Sequence, residues 1–193
     1  GGDQACLDSA CEAMRAMAAA IARPLRNISA GGGLSIPYRS DDQEANVERH
    51  FECWDAVRRD IADRQGFAPR LEIEPGRFIV GNAGCLVAEV RAVKRMGGNH
   101  FTLIDAGMSD LVRPALYGAY HRISLIPRDG EQRALLETDV GGPLCESGDV
   151  LTQGTGGMLE PILVPEPRVG DFLVIHDAGA YGASMSSQYN SRP

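Results

Sequence analysis

Near residue 82 the spacing of apolar residues in this chain changes, and that change limits the folds open to it. Upstream, apolar positions recur every three or four residues, the repeat of a helix. Downstream they alternate, the repeat of a strand. A chain that switches repeat in this way is neither a uniform helical bundle nor a uniform β-barrel. It joins a mixed α/β part to a β part.

The upstream part alternates between element types. Residues 4–23 are rich in Ala, Met, Leu and Glu and read as a helix stopped by Pro24. Residues 26–30 read as a short strand that runs into Gly31, Gly32 and Gly33. After a loop at 34–40, residues 41–65 read as a second helix, with Val47, Phe51, Trp54, Val57 and Ile61 on one apolar stripe and Gly66 at the C-cap. Residues 70–74 form a second short strand ending at Pro75-Gly76-Arg77, a turn. Helix, strand, helix, strand predicts parallel strands with helical crossovers. Two such strands do not make a covered parallel sheet. Residues 1–81 are therefore expected to be the C-terminal part of a (β/α)8 barrel whose remaining strands lie upstream. The opening residues Gly1-Gly2-Asp3-Gln4, without an initiator methionine or signal sequence, agree with a start inside a longer polypeptide.

Residues 82–193 carry β-prone runs at 86–93, 101–104, 122–126, 134–140 and 172–175, separated by Gly- and Pro-rich turns at 97–98, 129–130, 141–143 and 165–167. One short helical stretch, about 110–120, interrupts them. This part is expected to be a mostly antiparallel sandwich or barrel.

Composition narrows the function classes. A formal net charge of -7, with nineteen scattered cations, argues against a nucleic-acid surface. No apolar run approaches the roughly 20 residues that cross a bilayer, so no membrane partner is expected. Five cysteines form no CxxC pair, which predicts free thiols in a reducing cytoplasm. The four histidines share no ligand spacing, so no metal is expected. Of the nineteen Lys plus Arg only Lys94 is a lysine, a constraint on any chemistry that needs an amine.

Several segments carry residue types suited to a site. Gly31-Gly32-Gly33 can turn consecutive N–H groups toward an anion, although three glycines alone equally make a tight turn. Glu74-Pro75-Gly76-Arg77 combines a fixed φ, a position open to close approach and a forked cation. Both segments end strands of one alternating unit, so both are expected to project from the same face, as phosphate-gripping loops do in such barrels. Arg113 and Tyr117 lie four apart in the short helical stretch and are expected to share a face, where guanidinium and phenol would hold a carboxylate. Pro114 would place Arg113 at the helix start. Cys145 lies beside Glu146 and Asp149 in a glycine-bounded loop, a setting for an acid thiol or for an inert one. Tyr181, framed by small residues, has room to meet a flat ring or a phosphate, or else closes the β part.

In order, the stretches SAGGGLSIPY, LEIEPGRFIV, DAGMSDLVRPALYGAYH, GPLCESGDVLTQ and HDAGAYGASMSSQYNSRP resemble the diaminopimelate decarboxylases, fold type III pyridoxal-phosphate enzymes. The resemblance covers nearly the whole chain. It implies that Gly31, Gly32 and Gly33, with the backbone of Glu74, Pro75, Gly76 and Arg77, bind the phosphate of pyridoxal 5'-phosphate. It implies that Arg77, Arg113 and Tyr117 bind substrate carboxylates, that Cys145 donates a proton, and that Glu146 meets the distal amino group. Tyr181 would touch cofactor and substrate. The loop carrying Cys145 would enter the site of a partner subunit, so a homodimer with shared sites is implied. The lysine that anchors the cofactor would lie upstream, and Lys94 is not expected to replace it. The reaction implied is conversion of meso-2,6-diaminopimelate to L-lysine and carbon dioxide. A related decarboxylase of ornithine, arginine or carboxynorspermidine is the nearest alternative, disfavoured by the acids that follow Cys145. A non-catalytic dimerisation or binding β domain is the alternative of another class.

Overall fold

The computed structural model describes residues 4–192. It divides into two compact units: residues up to Pro37 with Asp41–Ile79, and Tyr38–Ser40 with Val80 onward.

The first unit contains α1 (Gln4–Ala20), β1 (Asn27–Ser29), α2 (Val47–Gln65) and β2 (Arg70–Glu72), and α3 (Gly76–Val80) begins in it. The two strands pair in parallel, Asn27 opposite Arg70 and Ser29 opposite Glu72. α1 ends at Ala20, three residues short of the expected end, because the residue before Pro24 is pushed out of helical dihedrals and the last turn is lost with it. α2 starts at Val47 rather than near 41. Asn46 caps it, its side chain accepting from the Arg49 N–H at 2.8 Å. Gly66 closes it in the left-handed region at φ 83°, its N–H bonded to the Ala62 carbonyl.

The buried face of α2 differs from the expected stripe. His50, Trp54, Val57 and Ile61 turn inward, whereas Val47 and Phe51 are exposed. Trp54, Val57 and Ile61 of the expected stripe pack on Cys11 of α1 and Ile28 of β1, with Leu7, Met14 and Leu71 at the rim, and the departure is confined to the first turns of the helix. Each buried large apolar side chain in such a cluster contributes about 1.5–3 kcal/mol. Gln65 closes the loop after α1, its amide donating to the Leu25 carbonyl and its carbonyl accepting from the Leu25 N–H, both at 2.9 Å.

The second unit is a mixed six-stranded sheet. Its strands are β3 (Leu86–Met96), β4 (Asn99–Ile104), β5 (Ile123–Ile126), β6 (Leu135–Gly141), β7 (Ile162–Pro165) and β8 (Phe172–Ile175), with α4 (Arg113–Tyr117) between β4 and β5. Their order is β5-β8-β3-β4-β6-β7. The β4–β6 pair is parallel and the others are antiparallel. The outer strands β5 and β7 approach one another, so the sheet is nearly a closed barrel around Val90, Ile104, Leu111, Val140, Leu173 and Ile175. A bulge between Val90 and Ala92 breaks the alternation of β3 and leaves Lys94 exposed on its far end.

Two elements depart from the sequence reading. β7 lies where Pro165 signals a turn. As the last residue of a strand on the sheet's edge, Pro165 needs no ladder N–H, so the strand tolerates it. The turn expected at Pro75-Gly76-Arg77 runs directly into the short helix α3, which takes in Gly76 and Arg77. Away from the strands, the buried Asp171 carboxylate ties two turns together. It accepts from the Arg128 and Arg168 N–H groups and from the Arg133 guanidinium.

Candidate functional site

In the first unit the triglycine and the Glu74–Arg77 turn are direct neighbours. The Glu74 N–H donates to the Gly31 carbonyl at 2.7 Å, and the Ala30 N–H to the Glu72 carbonyl at 2.8 Å. Ser29 binds both segments: its hydroxyl donates to the Glu74 carboxylate at 3.0 Å and accepts from the Gly31 N–H at 3.1 Å. The proximity follows from strand direction, since parallel β1 and β2 deliver their C-terminal loops to the same end. Gly31 and Gly33 have φ of 64° and 102°, backbone that a side chain strains. A Cβ on Gly32 would sit 3.1 Å from the Glu74 carbonyl oxygen.

Gly32 and Gly33 border a cavity of about 590 Å³ that Asn46, Arg49, His50 and Trp54 also line. His50 Nε2 and Trp54 Nε1 are buried there without a hydrogen-bond partner among the described residues. Burial lowers the pKa of His50, favouring the neutral ring. The glycines leave backbone without side chains at the border of this cavity, open to close approach by a ligand.

In the second unit Arg113 is buried, 6% exposed, and no carboxylate among the described residues pairs with it. Its guanidinium donates to His121 Nε2 at 2.8 Å and lies over the rings of Tyr38 and Tyr181, 4.8 and 5.9 Å from their centroids. Tyr181 holds a left-handed backbone at φ 61° and is half-exposed. Tyr117, expected on the same face as Arg113, is 61% exposed. α4 is only five residues long, and its first residue turns inward while its last points out before Gly118. Pro114 stands in the first turn of α4 with Arg113 at its start, as expected.

The loop after β6 presents Cys145 and Glu146, both exposed. Glu146 accepts from the Gly148 N–H and the Ser147 hydroxyl, each at 3.2 Å, and from the Tyr189 hydroxyl at 3.1 Å. The Gly148 N–H, then Tyr189 and Ser147, hold its carboxyl below the usual range, so it is anionic near neutral pH. That carboxylate in turn raises the pKa of the Tyr189 phenol and keeps it a donor. Asp149 is buried beneath the loop, accepting from the Met108 N–H at 2.6 Å and the Leu144 N–H at 2.7 Å. Its carboxylate is packed so closely on Gly107 and Gly142 that a Cβ on either would stand 2.3 Å from it. Asp149 thus shapes the loop from inside.

His121, Tyr189 and the shaping role of Asp149 were not legible in the sequence. A histidine eight residues after an arginine carries no spacing signal, and Tyr189 reaches Glu146 across forty-three residues.

A family model described as the pyridoxal-dependent decarboxylase, C-terminal sheet domain, matches residues 9–179. This chain belongs to the pyridoxal-dependent decarboxylases. Diaminopimelate decarboxylase of Streptomyces coelicolor is 55% identical over 195 residues, covering 100% of this chain and 44% of that protein. A crystal structure of diaminopimelate decarboxylase superimposes with a TM-score of 0.96 at 51% identity, covering 100% of this chain and 47% of that one. The Helicobacter pylori diaminopimelate decarboxylase complexed with L-lysine superimposes with a TM-score of 0.76 at 34% identity, over 97% of this chain and 44% of that one. The chain thus spans about half the length of these decarboxylases. The family-model match takes in residues of both units, the six-stranded sheet among them. Among the described residues no group of acids, cysteines and histidines is placed to hold a metal ion, no disulfide joins the cysteines, and no helix is long and apolar enough to cross a membrane.

Proposed function

We propose that this chain is the C-terminal part of a pyridoxal-phosphate-dependent decarboxylase that converts meso-2,6-diaminopimelate to L-lysine and carbon dioxide. The observation that carries the reading is 55% identity to a diaminopimelate decarboxylase along the whole chain. The buried Arg113, which has no carboxylate partner among the described residues, supports it.

In this reading residues 1–81 complete a (β/α)8 barrel, and 82–193 form the β domain of a cytoplasmic homodimer. Gly31, Gly32 and Gly33, with the backbone of Glu74, Pro75, Gly76 and Arg77, hold the cofactor phosphate through N–H groups that need no side chain. When bound, pyridoxal phosphate supplies an electron sink for the pair released as carbon dioxide leaves. The protein's own tasks are to bind, orient and protonate. Arg113, with Arg77 and Tyr117, binds carboxylate. Glu146, anionic and held by three hydrogen bonds, meets an ammonium. Tyr181 packs beside cofactor and substrate. The Cys145 thiol delivers a proton to the carbon that lost its carboxylate.

A substrate without a second carboxylate would leave a buried guanidinium unmatched, a costlier fault than a missing methylene. The test is release of carbon dioxide by the full-length protein, loaded with cofactor, from meso-2,6-diaminopimelate, ornithine, arginine and carboxynorspermidine. The expected kcat/KM for diaminopimelate exceeds the others by at least about a thousandfold. Equal or greater turnover of ornithine, arginine or carboxynorspermidine overturns the assignment.

A further inference from the structure

Arg113 is an uncommon kind of buried cation. A guanidinium out of water is ordinarily matched by a carboxylate, because desolvating an isolated charge is expensive. Here its hydrogen-bond partner is an imidazole, His121, itself 3% exposed. Arginine only donates hydrogen bonds, so His121 Nε2 must present a lone pair to it. The ring's other nitrogen then carries the proton, and Nδ1 donates to the His176 backbone carbonyl at 2.8 Å. That carbonyl fixes the tautomer and the ring's rotation together. The Tyr38 ring meets the imidazole edge-on, 5.4 Å between centroids. The result is a rigid chain from the backbone at 176, through the imidazole, to the guanidinium. It leaves the net positive charge of Arg113 uncancelled.

We propose that His121 is the positioning residue for Arg113, a neutral hydrogen-bond acceptor that aims the guanidinium at the substrate carboxylate without competing for its charge. A carboxylate at position 121 would hold the arginine more tightly but would neutralise it, and the substrate would meet a closed ion pair. A neutral acceptor orients the group and leaves its charge for the ligand. The inference rests on reading Arg113 as a carboxylate anchor.

The arrangement works only while His121 is unprotonated. Burial is the main cause that pushes its pKa below the ordinary value. The hydrogen bond to the His176 carbonyl opposes this, the Arg113 charge adds to it, and Asp177 opposes it. The ionisable groups around the ring are Arg113 from α4, Tyr38 from the 38–40 segment, and Arg122, His176 and Asp177 flanking β5 and β8. Because the folded pKa is lowered, the neutral ring persists through neutral pH. It is lost only as pH falls through that lowered value. Protonation would put an N–H where Arg113 needs a lone pair, so KM is expected to rise on the acid side.

The experiment measures kcat and KM for meso-2,6-diaminopimelate against pH in the cofactor-loaded, full-length protein. It compares wild type with Arg113→Met, His121→Leu and His121→Gln, whose side-chain carbonyl reaches toward the Nε2 position. Arg113→Met and His121→Leu should each raise KM at least tenfold at pH 8, with kcat changed less than threefold, since binding common to substrate and transition state is what is lost. His121→Gln should recover most of the KM loss and abolish the acid-side rise. If Arg113→Met raises KM while His121→Leu leaves it within twofold of wild type, the positioning role is overturned and Arg113 stands as the anchor. If neither changes KM, the anchor reading itself falls. Should His121→Leu fail to fold, the decision passes to pH: an acid-side rise in KM that persists in His121→Gln, or is absent from wild type, overturns the proposal.

Discussion

The two units build their candidate sites from different materials. In the first, the triglycine and the Glu74–Arg77 turn offer backbone, shaped by positive φ at Gly31 and Gly33 and by the contact between Gly31 and Glu74. In the second, side chains provide the chemistry and other side chains hold them: His121 behind Arg113, Tyr189 behind Glu146, Asp149 beneath the Cys145 loop. The difference teaches where each site is vulnerable. A backbone site is damaged by adding atoms, whereas a side-chain site is damaged by removing a partner.

The sharpest way to break this contrast is to remove Asp149. Its buried carboxylate serves two backbone N–H groups from two loops, at Met108 and Leu144. Asp149→Ala leaves both half-buried donors unmatched and opens a void beside Gly107 and Gly142. The expected loss is about 3–5 kcal/mol by urea denaturation of the full-length protein. Asp149→Asn, which keeps one acceptor, should lose about half as much. A cost below about 1 kcal/mol for the alanine variant would mean that the loop holds its own shape, and that the second site is not built on buried partners.

The matching test in the first unit adds a single methyl. At Gly33 a Cβ meets nothing closer than His50 Cε1 at 3.9 Å, so the change acts through backbone strain at φ 102° and through the N–H directions it disturbs. Gly33→Ala is expected to cost about 1–3 kcal/mol of stability. Cofactor affinity, read by absorbance titration, should fall about tenfold, a further 1.4 kcal/mol. Gly66→Ala is the control, since Gly66 is also at positive φ, 83°, but caps α2 with open space around it. It should lower stability comparably and leave cofactor affinity within about twofold. Equal loss of affinity in both variants would assign the effect to strain alone.

The same division explains what could be read from the residues. Parallel pairing of β1 and β2 followed from the alternation of helix and strand, and the neighbouring loops followed from the pairing. A backbone site is written in glycines, which stand out in a sequence. The stripe of α2 followed at Trp54, Val57 and Ile61 but not in its first turns, because Val47 and Phe51 fit the helical repeat as well as His50 does, and only packing chooses between them. β7 was hidden by Pro165, whose missing N–H matters only away from an edge. Arg113 could be picked out by its residue type and the proline after it, but spacing alone did not tell that Arg113 is buried and Tyr117, four residues on, is exposed. His121, Tyr189 and Asp149 act through contacts between segments distant in sequence, and a single chain read linearly contains no record of those.

Asp139 completes the comparison from the other side, as a buried carboxyl with little to hold. It lies in β6 at 3% exposure, and its side-chain partner among the described residues is the Thr152 hydroxyl at 3.2 Å. Burial raises its pKa, opposed by that one hydrogen bond. In the unfolded chain the same carboxyl ionises near the ordinary value of about 3.9. Between the unfolded and folded values the folded protein therefore binds more protons than the unfolded one. Its stability must then fall as pH rises through that window. Asp139→Asn keeps the shape and the acceptor for Thr152 while removing the charge. It should stabilise the full-length protein by about 1 kcal/mol at pH 7.5 and by nothing measurable near pH 3, where the acid is protonated in both states. Urea midpoints at the two pH values decide it: a gain of the same size at both would mean that shape and not ionisation is at issue. A loss at pH 7.5 would mean that Asp139, like Asp149, serves partners through its charge.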